Sequence, residues 1–493
     1  MCGISGLISN TLSKEQVINT AALMADSLKH RGPDEYGIWH DPNANIALSH
    51  RRLSIQDLSS NGSQPMLSPS KRYIIVFNGE IYNFKQLSVY LQKENYKFKG
   101  GSDTEVILAA CEHWGIKDAI NRFSGMFSFA LWDRDEQTLY LCRDRMGEKP
   151  LYYGVIEGTF YFSSELKPIK SLLKNKLELN LDALTYYMRY GYFPHPHTVY
   201  KGFYKLPPAS LLSLPFNVGS ENNVLENSSF PKPIKYWDIL GIAKGDNNSN
   251  EIDVREATDQ LDLILNETIK NQSIADVPIG AFLSGGIDST LVTSILQSQS
   301  TNPIKTFTIG FQENTFNEAE HAKKIANYLG TDHHEIYLTA NDSLDVISKL
   351  SEIYDEPFAD SSQIPTYLIS KLARDDVKVC LSGDGGDELF GGYNRYHLPE
   401  NIYNKSEKLP KFIRKLLSKS LTNIPQYSWD RLYNFSTILC HNKNIQSNIG
   451  NKIHKFADII DIEDLSSIYT YLISYWNNPN ELVLNGTELE DLT

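Results

Sequence analysis

The chain has 493 residues, 41% of them hydrophobic and 22% charged, enough for more than one hydrophobic core. Lys and Arg total 47 against 60 Asp and Glu, a formal charge of −13, so a nucleic-acid partner is not expected. No apolar run approaches the ~18 residues of a membrane helix, and no basic stretch with an apolar core opens the chain, so neither a membrane span nor a secretory signal is expected.

In chain order, the spacing predicts a helix over residues 14–28. A short apolar strand over 73–77 is expected to end at the turn signal Asn78-Gly79. A second helix is predicted over 103–114, and strands over 127–132, 138–142, 152–155 and 159–162. Residues 139–142 and 152–155 flank a Gly147-Glu148-Lys149-Pro150 turn. Few crossovers among such strands point to packed antiparallel sheets with helices outside, over residues 1–214. Residues 215–250 turn Asn- and Ser-rich and are expected to be a linker, with Tyr236-Trp237-Asp238 as a small packed island. From 251 to 493 the rhythm becomes strand, glycine-rich turn, helix. Strands are predicted over 279–283, 306–311 and 378–381, and helices over 290–297 and 319–328. Strands alternating with helices predict an α/β doubly wound parallel sheet with its ligand at the C-terminal strand edges.

The chain has five cysteines, Cys2, Cys111, Cys142, Cys380 and Cys440, widely spaced and without CxxC pairs. Neither a zinc site nor a disulfide framework is indicated, and the expected compartment is the reducing cytoplasm. Cys2 stands between Met1 and Gly3, a small-residue context in which the initiator Met is readily removed. The thiol would then sit beside a free α-amine of pKa ~8, able to relay its proton without a separate His. His30-Arg31-Gly32-Pro33-Asp34 is a basic turn cluster, and His50-Arg51-Arg52-Leu53-Ser54-Ile55 places a guanidinium at a strand-like start. Asn78-Gly79-Glu80 sets an amide side chain beside a glycine N–H, the two donors an oxyanion hole needs. Gly101-Ser102-Asp103 offers a carboxylate at a helix start. Singly, each reads as turn chemistry or a helix cap.

Together, and in this order, these segments resemble the class II, N-terminal nucleophile glutamine amidotransferases over essentially all of residues 1–214. The resemblance implies an α+β fold, an αββα sandwich, with Cys2 attacking the side-chain amide of glutamine to form a thioester and release ammonia. It further implies Asn78 and the Gly79 N–H as oxyanion donors, Arg52 as the clamp on the α-carboxylate and Asp103 on the α-ammonium. Asn78 and Glu80 would complete the glutamine pocket, and Arg51 would be a surface residue.

Ser284-Gly285-Gly286-Ile287-Asp288-Ser289 follows one predicted strand and opens a helix, so its N–H groups and the helix dipole can meet an anion. It is neither GxxxxGK[ST] nor GxGxxG. It resembles the pyrophosphate loop of ATP pyrophosphatases. The second turn, Ser382-Gly383-Asp384-Gly385-Gly386-Asp387-Glu388, gathers carboxylates among glycines, which suits a divalent cation beside phosphates. This string is similar to the synthetase domain of glutamine-hydrolysing asparagine synthetases. That resemblance implies Mg²⁺ on Asp288 and Asp387, and ATP against Ser284, Gly285, Gly286, Asp288, Ser289, Ser382, Gly383 and Ile309. Asp384 would accept a proton as ammonia attacks an acyl-adenylate. Asp355, Glu356 and the residues after them lie where the family builds its aspartate-side pocket. His333-His334 reads as structural, because neighbours on a strand face opposite ways.

The likeness fades after Tyr396. The family's Lys-x-Asp-Arg and Arg-x-Pro-Phe-Leu-Asp are not found between Asn401 and Thr493, so the second domain is expected to be truncated at its C-terminus. The expected reaction takes glutamine, aspartate and ATP to asparagine, glutamate, AMP and PPi, with ammonia crossing by an internal passage. A homodimer is left open. The rivals are the same architecture with another carboxylate or sugar precursor as acceptor, or a non-catalytic nucleotide- or glutamine-binding protein.

Overall fold

Two antiparallel sheets form face to face because their strands carry apolar side chains on one surface each, and those surfaces can only be buried against one another. The computed structural model describes residues 1–216, 231–245, 253–311, 318–439 and 448–488. Its first sheet contains β1 (Gly3–Ser9), β2 (Glu35–Asp41) and β3 (Ile46–Arg52). The second is built on β4 (Met66–Leu67), β5 (Tyr73–Ile81), β6 (Gly125–Asp133) and β7 (Thr138–Arg143). β8 (Tyr152–Ile156), β9 (Thr159–Ser163) and β10 (Phe203–Lys205) return to the first sheet, while β11 (Ser210–Pro215) and β12 (Ile234–Lys235) join the second. The orders are β10-β8-β9-β1-β3-β2 and β12-β11-β7-β6-β5-β4. Ile4, Leu48 and Phe162 of one sheet meet Val76, Trp132 and Leu141 of the other in one buried cluster. The buried Trp132 indole keeps a partner there, donating Nε1–H to Asp41 at 3.2 Å.

Helices cover the outer faces. Lys14–Ser27 starts at Ser13, which forms a capping box with Gln16, and buries Val17, Ala21 and Met24. Asp103–Trp114 is capped by the Ser102 side chain and carries Asp103 and Glu105 in its first turn, where acids complement the helix dipole.

One local expectation is corrected. Asn78-Gly79 does not end its strand: β5 runs on to Ile81, paired residue by residue with β6. The chain can do this because Gly79 adopts φ 155°, and a Cβ there would lie 2.2 Å from the Met126 carbonyl. The Gly147-Glu148-Lys149-Pro150 segment carries the chain from one sheet to the other, since β7 and β8 belong to different sheets. The crossing is organised by buried Asp144, whose carboxylate accepts the N–H groups of Phe127, Met146, Glu148 and Lys149.

Tyr236 packs on the core and donates its hydroxyl to the Arg143 carbonyl at 2.9 Å. Most of the expected linker, residues 217–230 and 246–250, lies outside the described residues.

The parallel sheet follows: β13 (Ile279–Phe282), β14 (Lys305–Phe311), β15 (Asp332–Leu338) and β16 (Val379–Leu381), in the order β15-β14-β13-β16. The order reverses between β13 and β16, and a crevice at such a switch point is where open α/β sheets bind ligands. One glycine-rich turn leaves β13 and the other begins at Ser382, directly after β16. All three sheets belong to one compact unit of Met1–Tyr187, Tyr192–Ser382 and Val483–Thr493. The second unit, Met188–Gly191 with Gly383–Leu482, is helical among its described residues. Among the described residues no helix is long and apolar enough to cross a membrane.

Candidate active site

The antiparallel register pairs Gly3 with Arg51, which carries Cys2 to the end of β3. There the Leu53 N–H donates to the Cys2 sulfur at 3.4 Å, and the thiol faces the Leu53 carbonyl at 3.7 Å. Burial pushes the thiol pKa up, while the Leu53 N–H and nearby Arg31 act against it. At rest the sulfur is therefore a protonated thiol that needs a base. The terminal ammonium of Met1 has its pKa lowered to about 6, chiefly by burial, with Arg31 and Lys149 contributing.

One cleft is lined by Cys2, Arg52, Asn78, Gly79, Glu80 and Asp103, so the structure brings together all six residues named from the N-terminal half. Asn78 sits on β5 at 1% exposure, and both polar atoms of its amide lack a hydrogen-bond partner. Leaving a buried amide unpaired costs free energy, so orphaned donors in a cleft point to a ligand. Asp103 is held by the Ile81 N–H at 3.0 Å. Burial raises its pKa to about 6 and that of Glu80 to about 7, the latter also through repulsion by Asp103. Each carboxylate would be drawn back to its charged form by an ammonium placed between them.

Arg52 ends β3 rather than starting a strand. Its guanidinium pairs with Glu35 at 3.1 Å and donates to the carbonyls of Ser59 at 3.1 Å and Asp57. It thereby shapes the loop that follows β3. Arg51 is not a free surface residue, because it donates to the Ala25 carbonyl at 2.9 Å and pairs with Asp26, tying the first helix to β3.

In the parallel-sheet half, Gly285 has φ 86° and Gly286 caps the helix Ile287–Gln299, with Asp288 in its first turn. The Ser284 hydroxyl bonds Ser289 Oγ at 2.9 Å and accepts the Gly286 N–H at 3.3 Å, which fixes the turn. A cavity of about 430 Å³ opens against Gly285, Gly286 and Thr290. Ile309 is half-buried on β14, beside Ile336 of β15. In the second unit Asp387 belongs to the helix Gly386–Phe390, and a Cβ at Gly392 would fall 1.9 Å from its carboxylate. Gly392 thus leaves that carboxylate its room. Among the described residues no three His, Cys, Asp or Glu side chains are grouped as a metal site.

Asp355 and Glu356, expected on the aspartate side, are engaged by the N-terminal half. Asp355 accepts the Lys167 N–H at 3.0 Å, and Glu356 accepts the Val199 N–H at 2.8 Å and pairs with Lys205 at 2.8 Å. His333 bonds Thr306 at 2.9 Å and His334 stacks on Phe307, so the pair is structural. Arg31, Glu165 and Gln64 also serve the site. Gln64 is buried, accepts the Phe77 N–H at 2.7 Å and so holds the strand bearing Asn78. Arg31 was visible in its basic cluster, but Glu165, paired with it across 134 positions, leaves no local signal.

Family models describing a glutamine amidotransferase domain and an asparagine synthase match residues 1–223 and 260–483. The chain is 37% identical to the putative asparagine synthetase [glutamine-hydrolyzing] 2 of Methanocaldococcus jannaschii, over 85% of this chain and 80% of that one. It is 33% identical to asparagine synthetase [glutamine-hydrolyzing] 1 of Bacillus subtilis, over 86% of this chain and 64% of that one. It is 30% identical to asparagine synthetase B [glutamine-hydrolyzing] of Escherichia coli, over 85% and 69% respectively. It thus spans less than two thirds of the Bacillus relative's length.

Proposed function

The chain belongs to the glutamine-hydrolysing asparagine synthetase family, and from that membership we propose that it amidates aspartate with glutamine-derived ammonia at the expense of ATP. The single observation that carries the glutaminase step is the buried, unpaired Asn78 amide in the same cleft as Cys2. With Met1 removed, the α-amine of Cys2 takes the thiol proton as sulfur attacks the glutamine side-chain carbonyl. The Asn78 amide and the Gly79 N–H receive the charge that develops on oxygen. The same ammonium returns the proton to the leaving nitrogen, and water then hydrolyses the thioester. Arg52 meets the substrate α-carboxylate; Asp103 and Glu80 meet its α-ammonium.

A cavity of about 480 Å³ supports a route for the ammonia. Leu53, Phe282, Ala373 and Cys380 line it, together with Arg31, Arg374 and Lys378. Arg31 and Lys378 pair with Glu165 and Asp34, so the positive charge of Arg374 is what disfavours ammonium there and leaves neutral ammonia, the nucleophilic form, to pass.

At the far end, residues 284–289 cradle the pyrophosphate of ATP at a helix N-terminus, and Ser382, Gly383 and Ile309 contact the nucleotide. Asp288 and Asp387 each offer the hard carboxylate oxygens that Mg²⁺ prefers, and the ion would supply charge neutralisation at the phosphates. Asp384 accepts the proton released when ammonia attacks β-aspartyl-AMP. The working division is a glutaminase domain of 1–214, a linker of 215–250 and a synthetase domain of 251–493. The free thiols Cys2, Cys111, Cys142 and Cys380 favour a reducing, cytoplasmic setting.

ATP–PPi exchange tests the acceptor. The account expects exchange that requires aspartate; exchange with another carboxylic acid in place of aspartate would transfer the architecture to that acceptor.

A further inference from the structure

A buried ionic chain runs from the main chain of Cys2 into the parallel-sheet half. Arg31 donates Nε–H to the Cys2 carbonyl at 2.8 Å and pairs with Glu165 at 2.9 Å. The Glu165 carboxylate also receives His30 at 2.9 Å and Lys167 at 3.2 Å. Lys167 then reaches Asp355 twice, through its N–H at 3.0 Å and its ammonium at 3.4 Å. Arg31, Glu165 and Asp355 have side chains only 9%, 14% and 11% exposed, so the Arg31–Glu165 pair is shielded from solvent screening, whereas Lys167, linking Glu165 to Asp355, is 30% exposed. Against the effect of burial, the hydrogen bond from His30 and the Arg31 guanidinium hold the Glu165 carboxyl well below the usual carboxylate range. Asp355 stands beside Glu356, whose own carboxylate is fixed on Val199 and Lys205. None of these groups touches the reacting atoms.

We propose that Glu165 is a positioning residue, which through Arg31 fixes the main chain at Cys2 and through Lys167 links it to Asp355. Glutamine hydrolysis therefore responds to the state of the 355–356 segment. The inference rests on reading Cys2 as the glutaminase nucleophile.

The physical content is that removing charge at either end loosens the Cys2 carbonyl anchor. The sulfur then leaves its place at Leu53, becoming easier to alkylate and worse placed to attack. A residue with a merely structural role would lower all rates in proportion to folded protein.

The test uses the full chain with Glu165→Gln, Asp355→Asn and both together. Two quantities are measured: steady-state glutamine hydrolysis, and the rate at which iodoacetamide labels Cys2, followed by peptide mass. In each single variant kcat should fall about tenfold with KM within about twofold, while labelling rises about threefold. The double variant should match the worse single, because both act through one chain. Asp355→Asn that behaves as wild type in both assays, or single effects that multiply in the double, would overturn the proposal. Labelling needs no turnover. A wild type that labels at Cys2 but releases no glutamate refutes the proposed function, and the labelling rates of the variants still decide the network.

Discussion

The Leu53 N–H donates to the sulfur of Cys2 at 3.4 Å, so the residue that follows β3 holds the thiol at the start of β1. The contact follows from strand register alone, Gly3 opposite Arg51, and needs no catalytic histidine. His50, three positions before Leu53, is no candidate base: burial lowers its pKa to about 4, and Nε2 is spent on the Phe77 carbonyl at 3.1 Å.

Cys2→Ala should abolish glutamate release from glutamine while leaving ammonium-supported, aspartate-dependent PPi release within about twofold of wild type, because nucleophile and adenylation site are separate. Parallel assays with glutamine and with ammonium chloride check this. Loss of both in a folded variant would contradict two sites.

Asn78→Ala should lower kcat for glutamine hydrolysis by about 10²–10³, the usual cost of one oxyanion donor, with a much smaller change in KM. Removing an orphaned buried amide should not destabilise the fold, since no hydrogen bond within the described chain is lost. Kinetics beside a thermal melt separate the two effects.

The acid limb of the pH profile should come from the Asp103–Glu80 pair. Both pKa values are raised, to about 6 and about 7, and only the ionised forms attract the substrate ammonium. Glutamine kcat/KM should therefore fall as pH drops from 7 through 6, as macroscopic steps of the coupled pair. The sign for stability is opposite. These burial-raised groups cost stability when ionised, and that cost disappears on acidification from about 7 toward their unfolded values near ~4. Asp103→Asn should remove most of the limb and raise KM; a limb unchanged in that variant would place the titrating group elsewhere.

Gly79→Ala should be damaging and Gly101→Ala near neutral. At Gly79 the backbone is at φ 155° and the new Cβ would press on the Met126 carbonyl, whereas at Gly101 nothing lies within 4 Å. The strained site should cost about 1–3 kcal/mol or more, and the open one under about 0.5 kcal/mol. Chemical denaturation of both variants measures the difference.

What the sequence made legible was whatever depends on neighbours along the chain. The 3.6-residue period and the Ser102 cap located the helix Asp103–Trp114, and apolar runs located β13, β14 and β16. Gly79 misled, because the same residue that starts a turn also allows a strand to pass tightly against its partner. The turn between β7 and β8 was legible, but not that they join different sheets, which rests on Asp144 and on long-range packing. For the same reason Cys2, Asn78 and Asp103 could be named, but the Arg31–Glu165 pair could not. Its members become neighbours only once β9 lies beside β1.

The most direct test follows the amide nitrogen. With [amide-¹⁵N]glutamine, ATP, Mg²⁺ and aspartate, the account predicts ¹⁵N in the side chain of newly formed asparagine, with AMP and PPi released in equal amounts. Label recovered solely as free ammonium, with no PPi that depends on aspartate, would contradict it.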